Sequence, residues 1–326
     1  MICSTLCKLS ASWKLISALF IASLSTLLVL PVFAQTANFT GLDQKPGGTS
    51  GASTFARAYN VPNSYSAAES IISQASSGGF VVGALCDAGS TTPTCNGPAT
   101  VLRVDSSGNI QSQTQYSYTS ASQSTALNLL RATSDGGAIF AGQPQSGCPA
   151  QNLNRCGAIV KVDSAGKVQW ANDLLFATSY SSPLTWPFDI QQTADGGFVL
   201  VGYAFAPSSI YNPWIAKLSS TGQIQWMHLL VDPNSDYSAA YSVQQTADGG
   251  YLVGGQVSYV VNPSYTKSEI ALFKLDSTGN MVWQHNYAAG LDAYLQYMEL
   301  TSDGGAIVGA TVYTNPGSTP TFSVLC

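Results

Sequence analysis

His228 and His285 are the chain's only imidazoles, and imidazole is the commonest general base in nucleophilic catalysis. They stand at matching places in two similar segments, each two residues after a tryptophan (Trp226, Trp283). That is the mark of a repeat, whereas a Ser-His-Asp site needs three different groups converging on one spot. No HExxH, GxSxG or phosphate-cradling glycine loop occurs. Carboxylates offer a second chemistry, since glycoside hydrolysis uses two of them about 5–9.5 Å apart. Glu69, Asp189 and Glu299 fall on or beside equivalent short apolar segments, at different offsets from the turn that follows. Seven further aspartates recur in turns. Asp135, Asp195, Asp248 and Asp303 precede Gly-Gly, and Asp105, Asp163 and Asp276 open D-S-x-G. A calcium loop needs carboxylates at alternate positions, and Ser or Thr fills those places here. The aspartates therefore read as turn residues, with no metal and no cofactor expected.

The elements that would position these groups are copies of one unit. ASSGGFVVGAL (75–85), TSDGGAIFAGQ (133–143), TADGGFVLVGY (193–203), TADGGYLVGGQ (246–256) and TSDGGAIVGAT (301–311) are five versions of one segment, with Gly-Gly pairs 53 to 60 residues apart. A second segment follows the first four: VLRVDSSGNIQSQ (101–113), IVKVDSAGKVQWA (159–171), IAKLSSTGQIQWM (215–227) and LFKLDSTGNMVWQ (271–283). Asp-Gly-Gly between β-type runs is a tight hairpin, because glycine accepts the positive φ such turns demand. D-S-x-G-N/K is a longer hairpin whose Asp accepts backbone N–H bonds. Each unit thus predicts a four-stranded antiparallel meander, and meanders repeated end to end predict the blades of a β-propeller. The expected fold is all-β, with about five blades. Phe55–Asn60 matches a fourth strand and would complete the last blade beside Phe322–Cys326, so that the ring closes and no sheet edge stays open. Cys326 stands where Arg103, Lys161, Lys217 and Lys274 stand in the other copies. The chain stops where those copies continue, so a larger ring of six or more blades is the alternative.

The DGG…KLDSxGxxxW pattern resembles the β-propeller repeats of secreted and surface proteins of bacteria and archaea. More distantly it is similar to the quinoprotein propellers, whose docking motif places a tryptophan four residues after a turn glycine. Gly166 to Trp170, Gly222 to Trp226 and Gly279 to Trp283 reproduce that spacing, while Ser112 stands where a tryptophan is expected after Gly108. The resemblance covers about 55–326. It implies a fold and tryptophans that dock between blades, and it implies no activity.

Composition narrows the partners. Lys8 and Lys14, the uncharged run 15–33 and the small residues Val32 and Ala34 before Gln35 describe a cleaved secretory leader over 1–34. A linker (35–53) and a propeller domain (54–326) follow, with no membrane span left after cleavage. The expected location is secreted, extracellular or cell-surface, with the periplasm as an alternative. A net charge of −5 and no basic cluster exclude a nucleic-acid partner. Cys86–Cys95 and Cys148–Cys156 form two close pairs in an exported chain and are read as disulfides.

In a four-stranded blade the uniform DGG and DSxG turns share one face of the disc. The long, dissimilar connections share the other, where binding usually resides. Tyr180, Trp186, Tyr211, Tyr237, Tyr259, Tyr265 and Tyr294 are the ligand-binding candidates there, since aromatic rings stack on sugars and peptides. The expected function is a non-enzymatic binding module whose partner is a carbohydrate or a cell-surface protein. The alternatives are a propeller glycoside hydrolase or lyase using Glu69, Asp189 and Glu299, and a structural surface scaffold.

Overall fold

The computed structural model describes nineteen strands and the tight turns between them, from Ala67 to Leu325. Residues 1–66, 326 and the connections 74–78, 86–98, 117–124, 145–156, 175–184, 206–210, 231–234, 236, 263–264, 289–291 and 314–320 lie outside the described residues. The strands form five antiparallel sheets in chain order, and within each sheet spatial order follows sequence order. The first holds β1 (Ala67–Ser73), β2 (Phe80–Leu85), β3 (Ala99–Val104) and β4 (Ile110–Tyr116). The second holds β5 (Thr125–Ala132), β6 (Ala138–Pro144), β7 (Gly157–Val162) and β8 (Val168–Leu174). The third holds β9 (Thr185–Gln192), β10 (Phe198–Phe205), β11 (Tyr211–Leu218) and β12 (Ile224–Leu229). The fourth holds β13 (Tyr237–Gln245), β14 (Tyr251–Asn262), β15 (Tyr265–Leu275) and β16 (Met281–Tyr287). The fifth holds β17 (Asp292–Leu300), β18 (Ala306–Tyr313) and β19 (Thr321–Leu325). The expected four-stranded meander is thus present in four sheets, and three strands of the fifth are described. The strand expected at Phe55–Asn60, and with it the closure of a ring, lies outside the described residues.

The sheets stack through their first strands, β1 on β5, β5 on β9, β9 on β13 and β13 on β17. Side chains alternate across a strand, and here both faces are covered. Phe198 and Leu200 of β10 join Ile139 and Ile159 in a cluster with the second sheet, while Val199 and Val201 join Tyr251, Val253 and Phe273 of the fourth. That double burial explains why FVLVG and its relatives are continuously apolar. A strand with one wet face would alternate. Each large side chain so buried contributes about 1.5–3 kcal/mol.

The turns are locked electrostatically. In the third sheet, Asp195 accepts hydrogen bonds from the Gly197 N–H, the Thr193 hydroxyl and the Lys217 ammonium (2.8 Å), and Lys217 also donates to the Leu218 carbonyl. Lys161 with Asp135 and Lys274 with Asp248 repeat the arrangement at 2.8 and 2.9 Å. Lys161 and Lys217 are only 3% and 4% exposed, so their ammonium groups depend on those carboxylates. Gly196 has φ +77°, and a Cβ on Gly197 would lie 2.3 Å from the Leu218 carbonyl oxygen and 2.4 Å from the Lys217 Nζ. The first glycine turns the chain and the second leaves room for the lysine. In the first copy Arg103 stands in place of the lysine and reaches into the next sheet, donating to the Gly136 and Asp163 carbonyls.

The fourth strands dock on the following sheet. Trp170 Nε1 donates to the Ser220 carbonyl, and a Cβ on Gly222 would lie 2.7 Å from the Trp170 ring. Trp226 covers Gly279 in the same manner. Where the first copy lacks the tryptophan, Tyr116 takes its place, donating from its hydroxyl to the Gly166 carbonyl at 2.7 Å and lying against Phe140.

Candidate functional site

All five first strands carry a β-bulge at the same level. The pairing with the second strand skips one residue at Glu69 in β1, Asn128 in β5, Phe188 in β9, Tyr241 in β13 and Gln296 in β17. A bulge adds an unpaired residue, bends the strand and re-aims a side chain, and bulges gather beside active sites. A glycine of the second strand stands next to each of them, as Gly83, Gly142, Gly202, Gly255 and Gly309. At Gly202 the reason is steric, because a Cβ there would lie 1.8 Å from the Trp186 carbonyl oxygen.

Three bulge residues share one site. Phe188, Tyr241 and Gln296, together with Tyr294, Leu295, Thr311, Tyr313 and Gln256, line an open cup of about 560 Å³ spanning the third, fourth and fifth sheets. Phe188 and Tyr241 are in contact at 4.8 Å between ring centres, and Tyr294 meets Tyr313 edge-on at 5.8 Å. Gln256 is 6% exposed. Its Nε2 donates to the hydroxyls of Ser258 and Ser268, which leaves Oε1 as the polar atom it offers the cup. Burial pushes the Tyr241 hydroxyl well above its ordinary pKa, and a hydrogen bond shared with Tyr237 adds to the shift. The phenol is therefore a neutral donor and acceptor at any physiological pH.

An aromatic chain leads away from the cup. Phe188 touches Tyr203, which stacks on Trp186 at 6.1 Å and meets Tyr211 edge-on at 4.9 Å, and Tyr211 meets Tyr237 at 4.9 Å. Of the sequence-based candidates, Tyr294 lines the cup, while Trp186, Tyr211 and Tyr237 belong to this chain. Tyr259 accepts a hydrogen bond from Asn286, and Tyr265 begins β15 near Asp292. Tyr180 lies outside the described residues, as do Cys86, Cys95, Cys148 and Cys156. Phe188, Tyr241, Gln256, Gln296, Thr311 and Tyr313 were not singled out by sequence reasoning. The glycine midway along each second strand is the signal that marks their level.

Neither Asp189 nor Glu299 lines the cup. Asp189 is 8% exposed and committed elsewhere. It accepts from Arg131 of the second sheet at 2.7 Å, from its own Ile190 N–H, and from the Val243 N–H of the fourth sheet at 3.1 Å. Burial pushes its pKa up, against the pull of Arg131 and those N–H donors. Asp189 therefore ties three sheets together. Glu299 is exposed and accepts from Gln244 at 2.9 Å. Glu69 occupies the bulge register of β1, and its side chain lies outside the described residues. Asp292, which sequence reasoning passed over, is the cross-strand partner of the cup residue Tyr313 and accepts the Ser268 N–H at 2.9 Å. Among the described residues no group of histidines, cysteines and carboxylates is placed to hold a metal.

No family model matches the chain, and no curated protein matches its sequence. Solved structures do match. A protein of unknown function from Dyadobacter fermentans aligns with 13% identity and a TM-score of 0.51, over 78% of this chain and 77% of that one. A Hadza microbial sialidase aligns with 10% identity and a TM-score of 0.50, over 76% of this chain and 53% of that one. The alpha-L-arabinanase of Penicillium chrysogenum aligns with 10% identity and a TM-score of 0.47, over 81% and 79%. The chain spans about half the length of the sialidase, and 38% of a puromycin hydrolase that it also matches. These neighbours are β-propeller-like, and the chain shares their all-β architecture of four-stranded antiparallel sheets. They correct one expectation. A non-enzymatic binding module is the expectation from the sequence, but the sialidase matched at a TM-score of 0.50 is an enzyme, and that likeness favours the hydrolase alternative taken up below.

Proposed function

We propose that this chain is a carbohydrate-active propeller enzyme, a glycoside hydrolase or lyase, with its sugar site in the cup at the bulge level. The observation that carries this reading is the register-matched bulge of the five first strands, three of whose residues line one cup. Aromatic faces with a few amides and hydroxyls are what sugar rings need. We further infer that the sheets are blades of a ring of about five, and that the protein works outside the cell.

Hydrolysis requires an acid and a base or nucleophile. Asp189 is excluded from both roles, since ionic and backbone bonds already occupy its oxygens. Glu69 holds the bulge register in β1 that Phe188, Tyr241 and Gln296 hold in other sheets, and Asp292 stands beside Tyr313 at the cup's edge. These two are the proposed pair. The test is release of new reducing ends or unsaturated products from a panel of polysaccharides by the full chain. Glu69→Gln and Asp292→Asn should each lower kcat by about 100-fold or more with unchanged melting, as loss of a general acid or base does. Turnover indifferent to both substitutions removes the assignment, and a panel with no turnover at all removes the enzyme.

A further inference from the structure

The cup's chemistry also specifies its ligand. Resting on the reading above, we propose that it takes an uncharged saccharide and rejects sugars bearing a carboxylate. Among the described residues lining it, none is charged. Recognition of a uronate or sialate carboxylate calls for an arginine or lysine, bidentate where specificity matters. Two cations of the second and fourth sheets are already engaged. Arg131 is held by Asp189 at 2.7 Å, and Lys267 by Glu269 at 2.6 Å. The charge that does border the cup has the wrong sign for an anionic sugar. Asp292 is paired across the sheet with Tyr313, its oxygen accepts the Ser268 N–H, and the cation that feels it, Lys267, is bonded to Glu269.

What the cup offers is neutral. Phe188, Tyr241 and Tyr294 present ring faces and edges for the C–H side of a sugar. The Gln256 Oε1 is held in place by the two serines that fix its amide nitrogen, so it can accept from a sugar hydroxyl at little entropic cost. Gln296 is exposed and supplies both a donor and an acceptor. Because no ion pair forms on binding, affinity should be nearly insensitive to salt.

The experiment is affinity electrophoresis of the full chain in gels carrying neutral glycans or, separately, uronate-rich and sialylated glycans, at low and high salt. Neutral glycans should retard the protein equally at both salts, and anionic ones should not. Tyr294→Ala and Gln296→Ala should each weaken retardation by roughly ten-fold. Tyr297→Ala, at a site 72% exposed and outside the cup, should leave it unchanged. Retardation by anionic glycans that salt abolishes overturns the inference, as does neutral binding that Tyr294→Ala leaves intact. Neutral binding at the cup without turnover keeps this inference and removes the hydrolase. Turnover of anionic glycans does the reverse.

Discussion

At the scale of single residues, the Asp–Lys lock makes asymmetric predictions. Lys217 is 5% exposed at its side chain and Asp195 55%. Asp195→Asn strands an ammonium in the interior and should cost about 3 kcal/mol. Lys217→Met removes that ammonium and leaves a carboxylate half in water, which should cost only about 1 kcal/mol. Urea midpoints of the two variants should rank in that order, and the reverse ranking would deny the lysine its dependence on the carboxylate. The same lock sets acid sensitivity. Burial alone would raise Asp135 and Asp195, but hydrogen bonds from the lysine, the threonine hydroxyl and a glycine N–H outweigh it and hold both at about 2. Asp276 is held at about 2 by Thr278 and Asn280. A carboxylate lowered on folding contributes stability that is complete above its unfolded pKa of about 4 and disappears below the folded one. The lock's contribution to melting temperature should therefore be complete above about pH 4.5 and fall away toward pH 2, so that an Asp135→Asn/Asp195→Asn double variant loses less on acidification over that range. Half of this lock was legible in the sequence. Asp-Gly-Gly announces a turn, but Lys161 and Lys217 look like ordinary strand-end lysines until a third strand is laid across the hairpin.

At the scale of strands, two glycines of the third sheet test where space is needed. A Cβ on Gly196 meets nothing within 4 Å, so Gly196→Ala faces only the unfavourable positive φ, about 1–2 kcal/mol. Gly202→Ala drives a Cβ into the Trp186 carbonyl and should cost more, while also dismantling the bulge that aims Phe188. Thermal melts should rank Gly202→Ala below Gly196→Ala, with sugar binding lost only in the former under conditions where both are folded. The strands themselves were readable from their apolar runs and turn residues. Their bulges were not, because one skipped pairing changes no composition. Its trace is the glycine repeated in VVGAL, IFAGQ, VLVGY, LVGGQ and IVGAT, which also reads as an ordinary weak point in a strand. Tyr116 shows a similar substitution of means. It does the docking that Ser112 cannot, two alternate positions further along the same strand face.

At the scale of the molecule, Asp189 is the residue on which the second, third and fourth sheets depend together. Its partners Arg131 and Val243 lie 58 and 54 residues away in the chain. No local pattern could identify it, and its position on a first strand made it resemble a catalytic acid. Asp189→Asn should cost about 1–3 kcal/mol, by setting an amide N–H2 against the buried Val243 N–H or against the part-exposed Arg131. Exchange of the Val243 amide hydrogen should quicken selectively, whereas a catalytic role alone would leave that amide protected. Gln191 and Gln244 extend the theme. Each accepts a backbone N–H of the following sheet, from Gln245 and Leu300. The architecture was legible because it is written five times, and the site was not, because each sheet contributes a different residue to it.

The turn locks and the tryptophan contacts are short in reach. Each lock closes within its own unit, and Trp170 and Trp226 dock on the unit that follows. A stretch of gene encoding one whole unit could thus be duplicated or lost with its neighbours still finding compatible surfaces. Copy number is then open to change by recombination, while the identity of each cup residue drifts independently within its own copy.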